Sequence, residues 1–546
     1  MKCRLITLLL LGWVGSCTVQ AQEMYKYWVA FTDKAGSPYT LEDPSQYLGS
    51  RALERRRRQG IAVDSLDLPV SPSYVAQLQQ SGFIVQNRSK WLNGVVLFSA
   101  DSLGPEAFRT FPFVSSAVLC DHSDVSLPDV SQPNYGSPIP YQPMPQPFSA
   151  EYYAGAWPQI RQLNGHRLHA SGYQGQGMII GVCDCGFPGV DTAAIFAPMC
   201  SEGRLLATRD FVWTNSGSVF NIHSHGTHAL STMAAFAPGL FVGTAPMASY
   251  VLCRTESVMS ETLLEEYNWA AAAEYLDSLG ADIVSSSLGY FVLDDSAMSH
   301  TLADLDGRTT PISRAAAVAG RRGMLVVNSA AGGGRATPQH LNAPADVPEA
   351  LSVGAVDRDG IRAPFSAYGP TATGCIKPDV LAMGVEVLSA CPDGLFRPAT
   401  GTSVACPVMA GMMACLWQRF PSLTPAQLCD SVRAWGSLSQ WPTDMEGYGI
   451  PDFARAVPAA GLGSYPPEPE SVRLAPNPAT GVARLRLGFA PQGAPLRVVD
   501  AMGREVFSCI LHSSDMEIPT HALPRGLYVV EVATPGGRVC RRLVVQ

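Results

Sequence analysis

Between residues 151 and 461, short unbroken apolar runs alternate with helical stretches. Met178-Ile179-Ile180-Gly181-Val182-Cys183 is one such run; Asp282-Ile283-Val284, Met324-Leu325-Val326-Val327 and Ala350 to Val356 are others. A strand with one face in water alternates apolar and polar residues. A continuous apolar run reads instead as a strand covered on both faces. The intervening stretches carry helix signals: Tyr267 to Leu279 stops at Gly280, and Ile312 to Arg322 stops at Gly323. Helices alternating with buried strands predict an α/β domain, a parallel sheet with helices on both faces.

Composition excludes several alternatives. Of 546 residues, 47% are apolar and 15% charged, so the chain has ample core and is not largely disordered. The net charge of −8 lacks the basic footprint of a nucleic-acid binder. Beyond the first twenty residues no apolar run is long enough to span a bilayer.

Both flanks differ from the centre. Residues 1–21 read as a signal peptide: Lys2 and Arg4 precede the apolar run Ile6 to Val14, and Val19-Gln20-Ala21 is a small-residue cleavage pattern. Val14-Gly15-Ser16-Cys17 offers a competing lipobox reading, with Cys17 as a lipidated N-terminus. Export permits disulfides, but 14 cysteines are too sparse for a disulfide scaffold and their pairing is not readable from sequence.

Residues 22–125 read as a small α+β module. Tyr27 to Phe31 is a strand, and Ser45 caps a helix carrying Arg51 and the run Arg55 to Arg58, which is expected to be a solvated face. Residues 126–150 form a linker with Pro138, Pro140, Pro143, Pro145 and Pro147. A second linker, 462–470, contains Tyr465-Pro466-Pro467-Glu468-Pro469. In 471–546, Leu485 and Leu487 alternate with Arg484 and Arg486, and Pro535-Gly536-Gly537 separates two strands. These short punctuated strands predict a small β-sandwich.

Three segments of the central domain carry chemistry. Asp184 ends the first apolar strand. His225 opens His225-Gly226-Thr227-His228, and Ser403 lies in Gly401-Thr402-Ser403-Val404-Ala405-Cys406-Pro407, each at the head of a helical stretch. A serine hydroxyl needs an imidazole to take its proton and a carboxylate to fix that imidazole's tautomer. Strand ends and helix starts of an open α/β sheet gather such groups in one crevice. The bland readings are a turn for Asp184 and a helix cap for Gly-Thr-Ser. His223, His225 and His228 have metal-like spacing but no intervening Glu of the His-Glu-x-x-His kind, so no metal is assigned. Asp304-Leu305-Asp306-Gly307 resembles a calcium loop only faintly and reads as a solvated turn, leaving a structural calcium as the sole cofactor considered. Cys183, Cys185 and Cys406, close to Asp184 and Ser403, read as small buried residues, with thiol modification near the site as the sharper alternative.

The order Asp184, His225, Ser403, with His-Gly-Thr-His and Gly-Thr-Ser-x-Ala-x-Pro, resembles the subtilases, the subtilisin-like serine peptidases. The resemblance implies a subtilisin-like fold. It also implies that Asp184 orients the imidazole, that His225 is general base then acid, and that Ser403 is the nucleophile. Ser287-Leu288-Gly289 resembles the family's substrate-binding strand, whose backbone pairs with an extended peptide. Tyr27 to Ala100, with Ser89-Lys90-Trp91-Leu92-Asn93, is similar to the N-terminal propeptides of exported subtilases. The C-terminal segment, with Pro476-Asn477-Pro478 and Gly526-Leu527-Tyr528, resembles the sorting domain of type IX secretion. The expected protein is a secreted serine endopeptidase made as a zymogen, with peptide or protein substrates, its own propeptide and the secretion machinery as partners. It departs from the family at one place. Subtilases carry Ala-Gly-Asn after the strand, and here Asn328-Ser329-Ala330-Ala331-Gly332 puts Gly332 where the oxyanion-binding Asn is expected. The alternative is therefore a weakened or inactive subtilase scaffold that serves as a surface binding protein.

Overall fold

The structure, a computed structural model, describes residues 23–124, 145–214, 216–332, 340–457, 472–487, 491, 493–500, 504–534 and 537–546. The signal peptide and lipobox, most of the first linker, all of the second, and Gly333 and Gly334 lie outside them. The chain divides into two compact units, one ending at Pro458 and the other beginning at Ala459.

The N-terminal module is a four-stranded antiparallel sheet with two helices. Its elements are β1 (Glu23–Phe31), α1 (Ser50–Gln59), α2 (Pro72–Gln80), β2 (Ile84–Ser89), β3 (Gly94–Ser99) and β4 (Val114–Asp124), in sheet order β2-β3-β1-β4. One core, with Tyr27, Val29, Val95, Leu97 and Phe108, closes it on itself. The other sheet face carries Trp28 and Val96 into the core of the α/β domain, joined by Trp91 from the turn between β2 and β3. Trp28 stacks on Tyr267 there with ring centroids 4.2 Å apart.

Two expectations fail in this module. Ser45 lies in a short 3-10 turn, and α1 starts later, with Gly49 as its N-cap. The arginine run is not a solvated face. Arg55 and Arg56 are 0% and 1% exposed, and both reach Asp277 of the α/β domain. Arg57 and Arg58 alone stay in water. A basic run becomes core when its counter-charge comes from elsewhere in the chain, and pairing is the condition for burying it.

The α/β domain has seven parallel strands: β5 (Ile179–Asp184), β6 (Leu205–Asp210), β7 (Ser249–Arg254), β8 (Ile283–Ser286), β9 (Leu325–Ser329), β10 (Ala350–Val356) and β11 (Val380–Met383). Their order is β11-β10-β9-β8-β5-β7-β6. Every residue of β5, β8, β9, β10 and β11 is buried, as continuous apolar runs require. The helices α3 (His225–Ala234), α4 (Leu263–Leu279), α5 (Pro311–Arg321) and α6 (Thr402–Arg419) cover the two faces. Helix α4 starts four residues before Tyr267 because Thr262 and Glu265 form a capping box. It stops at Gly280, where φ is 84° and an added Cβ would meet Arg51 at 2.6 Å. No helix among the described residues is long and apolar enough to cross a membrane.

The second unit holds β12 (Val472–Ala475), β13 (Val482–Leu487), β14 (Ala494–Asp500), β15 (Glu505–Leu511), β16 (Asp515–Pro519), β17 (Gly526–Thr534) and β18 (Gly537–Val545). They form two antiparallel sheets, β12-β13-β16 and β15-β14-β17-β18. In β13, Ala483, Leu485 and Leu487 turn inward and Arg484 and Arg486 outward, as the alternation predicts. Leu485, Val498, Val530 and Leu543 share one core, so the two sheets make a sandwich.

Candidate active site

The site lies outside the carboxyl ends of the parallel strands, the usual ligand position of an open α/β sheet. β5 ends on Asp184, which is fully buried. Helix α3 begins at His225 and packs closely on the turn after β5. A Cβ at Gly226 would meet the Gly186 carbonyl at 2.3 Å, so only glycine permits this approach. The result places His225 Nδ1 2.8 Å from Asp184 Oδ1. With the Nδ1 proton on the carboxylate side, Nε2 keeps its lone pair for a reacting hydroxyl. The negative charge of Asp184 raises the pKa of His225 to about 9, against the opposing effect of burial. The backbone N–H of Cys185 also donates to Asp184 Oδ1, at 2.8 Å.

Ser403 is the second residue of α6, where the first N–H groups have no intrahelical acceptor and face forward. His225 and Ser403 line the same cleft of about 590 Å³. Ser287, Leu288 and Gly289 continue from β8 along one wall, and Ser287 Oγ donates to the Ser403 carbonyl at 2.7 Å. Ser329, Ala331 and Gly332 line the cleft from the end of β9. The anticipated residues thus lie around one opening, except Asp184, which is buried behind His225.

Gly332 stands on the wall without a side chain, and Asn328 does not replace it. Asn328 is buried, and its amide donates to the carbonyls of Leu288, at 3.1 Å, and Ser329, at 2.8 Å. The cleft also has lining residues that no motif anticipates, among them the three residues Glu256, Asn342 and Phe365. Asn342 Nδ2 donates to the Gly289 carbonyl at 3.0 Å and so ties down that wall. Burial, followed by the charges of Glu261 and Asp184, raises the pKa of the Glu256 carboxyl. None of the three lies in a recognisable motif, and only the fold brings them to the cleft.

The histidine triplet does not converge. His228 Nδ1 pairs with Ser389 Oγ at 3.0 Å, while His225 pairs with Asp184. In the Asp304–Gly307 turn, Asp304 accepts from Thr301, and Asp306 accepts from the N–H groups of Arg308 and Thr309, as a self-capped turn does. Cys183, Cys185 and Cys406 are free and buried.

Comparison with known proteins agrees with this architecture. Residues 175–439 match the model of the subtilase family, residues 26–133 that of the peptidase S8 propeptide domain of Bacteroidota, and residues 473–546 that of a secretion system C-terminal sorting domain. Subtilisin NAT of Bacillus subtilis subsp. natto is 29% identical over 288 residues, 52% of this chain and 67% of the relative. Subtilisin of Bacillus pumilus is 28% identical over 277 residues, 50% of this chain and 89% of the relative. Among solved structures, MycP1 from Mycobacterium smegmatis aligns with a TM-score of 0.45 at 20% identity, covering 61% of this chain and 92% of that one. The sorting domain marks a protein exported to the cell surface or medium. The central domain belongs to the subtilase family, so the chain is a subtilisin-like serine protease made as a zymogen, with a propeptide before that domain and a sorting domain after it.

Proposed function

We propose that the protein is a secreted endopeptidase that hydrolyses peptide bonds through an acyl-enzyme on Ser403. His225 takes the Ser403 proton and returns it to the leaving amine, and Asp184 fixes the imidazole and stabilises its charged form. An extended peptide would pair with the backbone of Ser287 to Gly289, and the N–H at the head of α6 would face the developing oxyanion. The observation that carries this reading is the Asp184–His225 pair opening into the cleft that Ser403 lines. The partners would be protein or peptide substrates, the chain's own propeptide and the export machinery. The test is a fluorophosphonate probe and a peptide assay on the processed protein beside its Ser403→Ala variant. Labelling and turnover confined to the wild type support the proposal; an unreactive Ser403 overturns it.

The second reading, a scaffold that binds peptides without turnover, draws on Gly332. Its backbone does not occupy the left-handed region, so an L side chain fits the conformation. A Cβ there would meet the Phe365 ring edge at 3.0 Å, a contact the half-buried ring relieves by shifting a few tenths of an ångström. A side-chain amide stabilises the oxyanion more than the ground-state carbonyl. Gly332→Asn should therefore raise kcat roughly tenfold or more with KM little changed. Steady-state kinetics on one peptide checks this. A fall in kcat, from a wild type that already turns over briskly, would mean that another group supplies the donor.

A further inference from the structure

Cys185 lies one residue beyond Asp184, where acyl transfer assigns it no task. The turn that follows is held unusually close. At Gly186 φ is 151°, and an added Cβ would meet the carbonyls of Asn221 at 2.4 Å and His223 at 3.0 Å. This approach lays the His223 loop over the end of β5. Cys185 Sγ then lies 3.4 Å from His223 Nδ1 and 3.3 Å from Asp184 Oδ1. Asp184, Cys185 and His225 each offer a ligand atom, all within 4.8 Å of one another. A tetrahedral zinc ion with bonds of about 2.0–2.3 Å has ligand–ligand edges of roughly 3.3–3.8 Å. Two such edges already exist here.

A second feature points the same way. Asp184 Oδ2 is buried and has no hydrogen-bond partner among the described residues. An unpaired carboxylate oxygen away from water is costly unless a cation meets it. Access is open: His223 is exposed, the His225 side chain is 31% exposed, and both line the cleft with Cys185.

We propose that Cys185, His223, Asp184 and His225 form a binding site for Zn²⁺, whose occupation withdraws His225 from Ser403. A thiolate, imidazoles and a carboxylate are the ligand set of a borderline-soft divalent ion. Binding exchanges a proton for metal: the Cys185 thiol releases one proton to solvent, while the neutral His225 ring ligates through Nδ1 with its own proton moved to Nε2, where it can no longer accept from Ser403; a chelator reverses both changes. His223 Nδ1 now accepts the His225 N–H at 3.3 Å, and its exposed ring can turn to offer a nitrogen. The inhibitory consequence rests on the proposed peptidase function; the binding site does not.

The test has two arms. Co²⁺ titrated into the full-length Ser403→Ala protein should give a thiolate-to-cobalt absorption band at one equivalent. The band should vanish on adding Cys185→Ser and weaken on adding His223→Ala. In the processed wild type, Zn²⁺ should inhibit peptide hydrolysis reversibly. Cys185→Ser should need about tenfold more zinc or greater, judged against its own zinc-free rate. Absence of the cobalt band, or its persistence without Cys185, overturns the site, as does an unchanged zinc sensitivity in Cys185→Ser. Lack of peptidase activity in every form sinks the proposed function alone, and the cobalt band still decides the site.

Discussion

Asp184→Asn should lower kcat about 10⁴-fold while leaving KM and the folded state nearly unchanged. The carboxylate does two things at the site. It accepts the Nδ1 proton of His225 at 2.8 Å, which leaves Nε2 free to act as base, and its charge stabilises the imidazolium formed in the transition state. An asparagine amide can be placed in two ways, and both fail. If its NH₂ faces His225, the imidazole takes the wrong tautomer. If its oxygen faces His225 and the Cys185 N–H, the NH₂ falls at the buried Oδ2 position, where no acceptor among the described residues meets it. In either placement the negative charge is gone. The pH profile separates this from a loss of structure. The working base is neutral His225, so kcat/KM rises as pH rises through its pKa, held up to about 9 chiefly by Asp184. In the variant the residual rate should rise at lower pH, towards the ordinary histidine value of about 6.5. A loss under about tenfold, or an unmoved limb, would show that Asp184 does not orient this histidine.

What could be read in advance was what depends on neighbours in the chain. β5, β8, β9 and β10 were legible because burial on both faces writes itself as an unbroken apolar run. Asp184, His225 and Ser403 were legible because each sits at an element end, within a few residues that must also make a turn or a helix start. Contacts between distant segments were not legible. Arg55 and Arg56 read as a solvated face because Asp277, which buries them, is 222 and 221 residues away. The sequence shows Cys185 as a thiol beside Asp184, but nothing in the spacing says that the His223 loop returns to it. Asn342 and Glu256 reach the cleft from loops without a motif. The start of α4 was misplaced for a different reason: Thr262 and Glu265 are polar, so a search by apolar periodicity passes over the capping box.

The Asp277 carboxylate ties the propeptide to the peptidase domain, so folding and maturation should depend on it. Asp277 is fully buried near the end of α4. It meets Arg55, accepts from Arg56 Nη1 at 3.0 Å and Nη2 at 2.9 Å, and lies 3.5 Å from Lys90 Nζ. Burial alone would raise its pKa, but Lys90, Arg55 and Arg56 together hold the carboxyl below its usual range. One turn earlier, Glu274 accepts the N–H groups of Lys90, at 2.7 Å, and Trp91, at 3.0 Å. The propeptide therefore docks on α4 through charges that have left water. Such a pair adds little over an apolar contact, but losing one partner is expensive because the other stays buried and charged. Among the described residues, Asp277→Ala leaves Arg55 with the Ala281 and Arg322 carbonyls as acceptors and Arg56 with Asp67 and the Ala52 carbonyl. The expected cost is about 3–5 kcal/mol, or roughly 10²–10⁴ in the folded-to-unfolded ratio. Denaturant unfolding of the full chain in a Ser403→Ala background reads this without self-cleavage, and the secreted yield of processed protein should fall with it. Arg57→Ala is the control on the same helix. Its side chain is 75% exposed and pairs only with Glu54 among the described residues, so no measurable change is expected. If the two variants unfold alike, the buried cluster does not hold the propeptide to the peptidase domain.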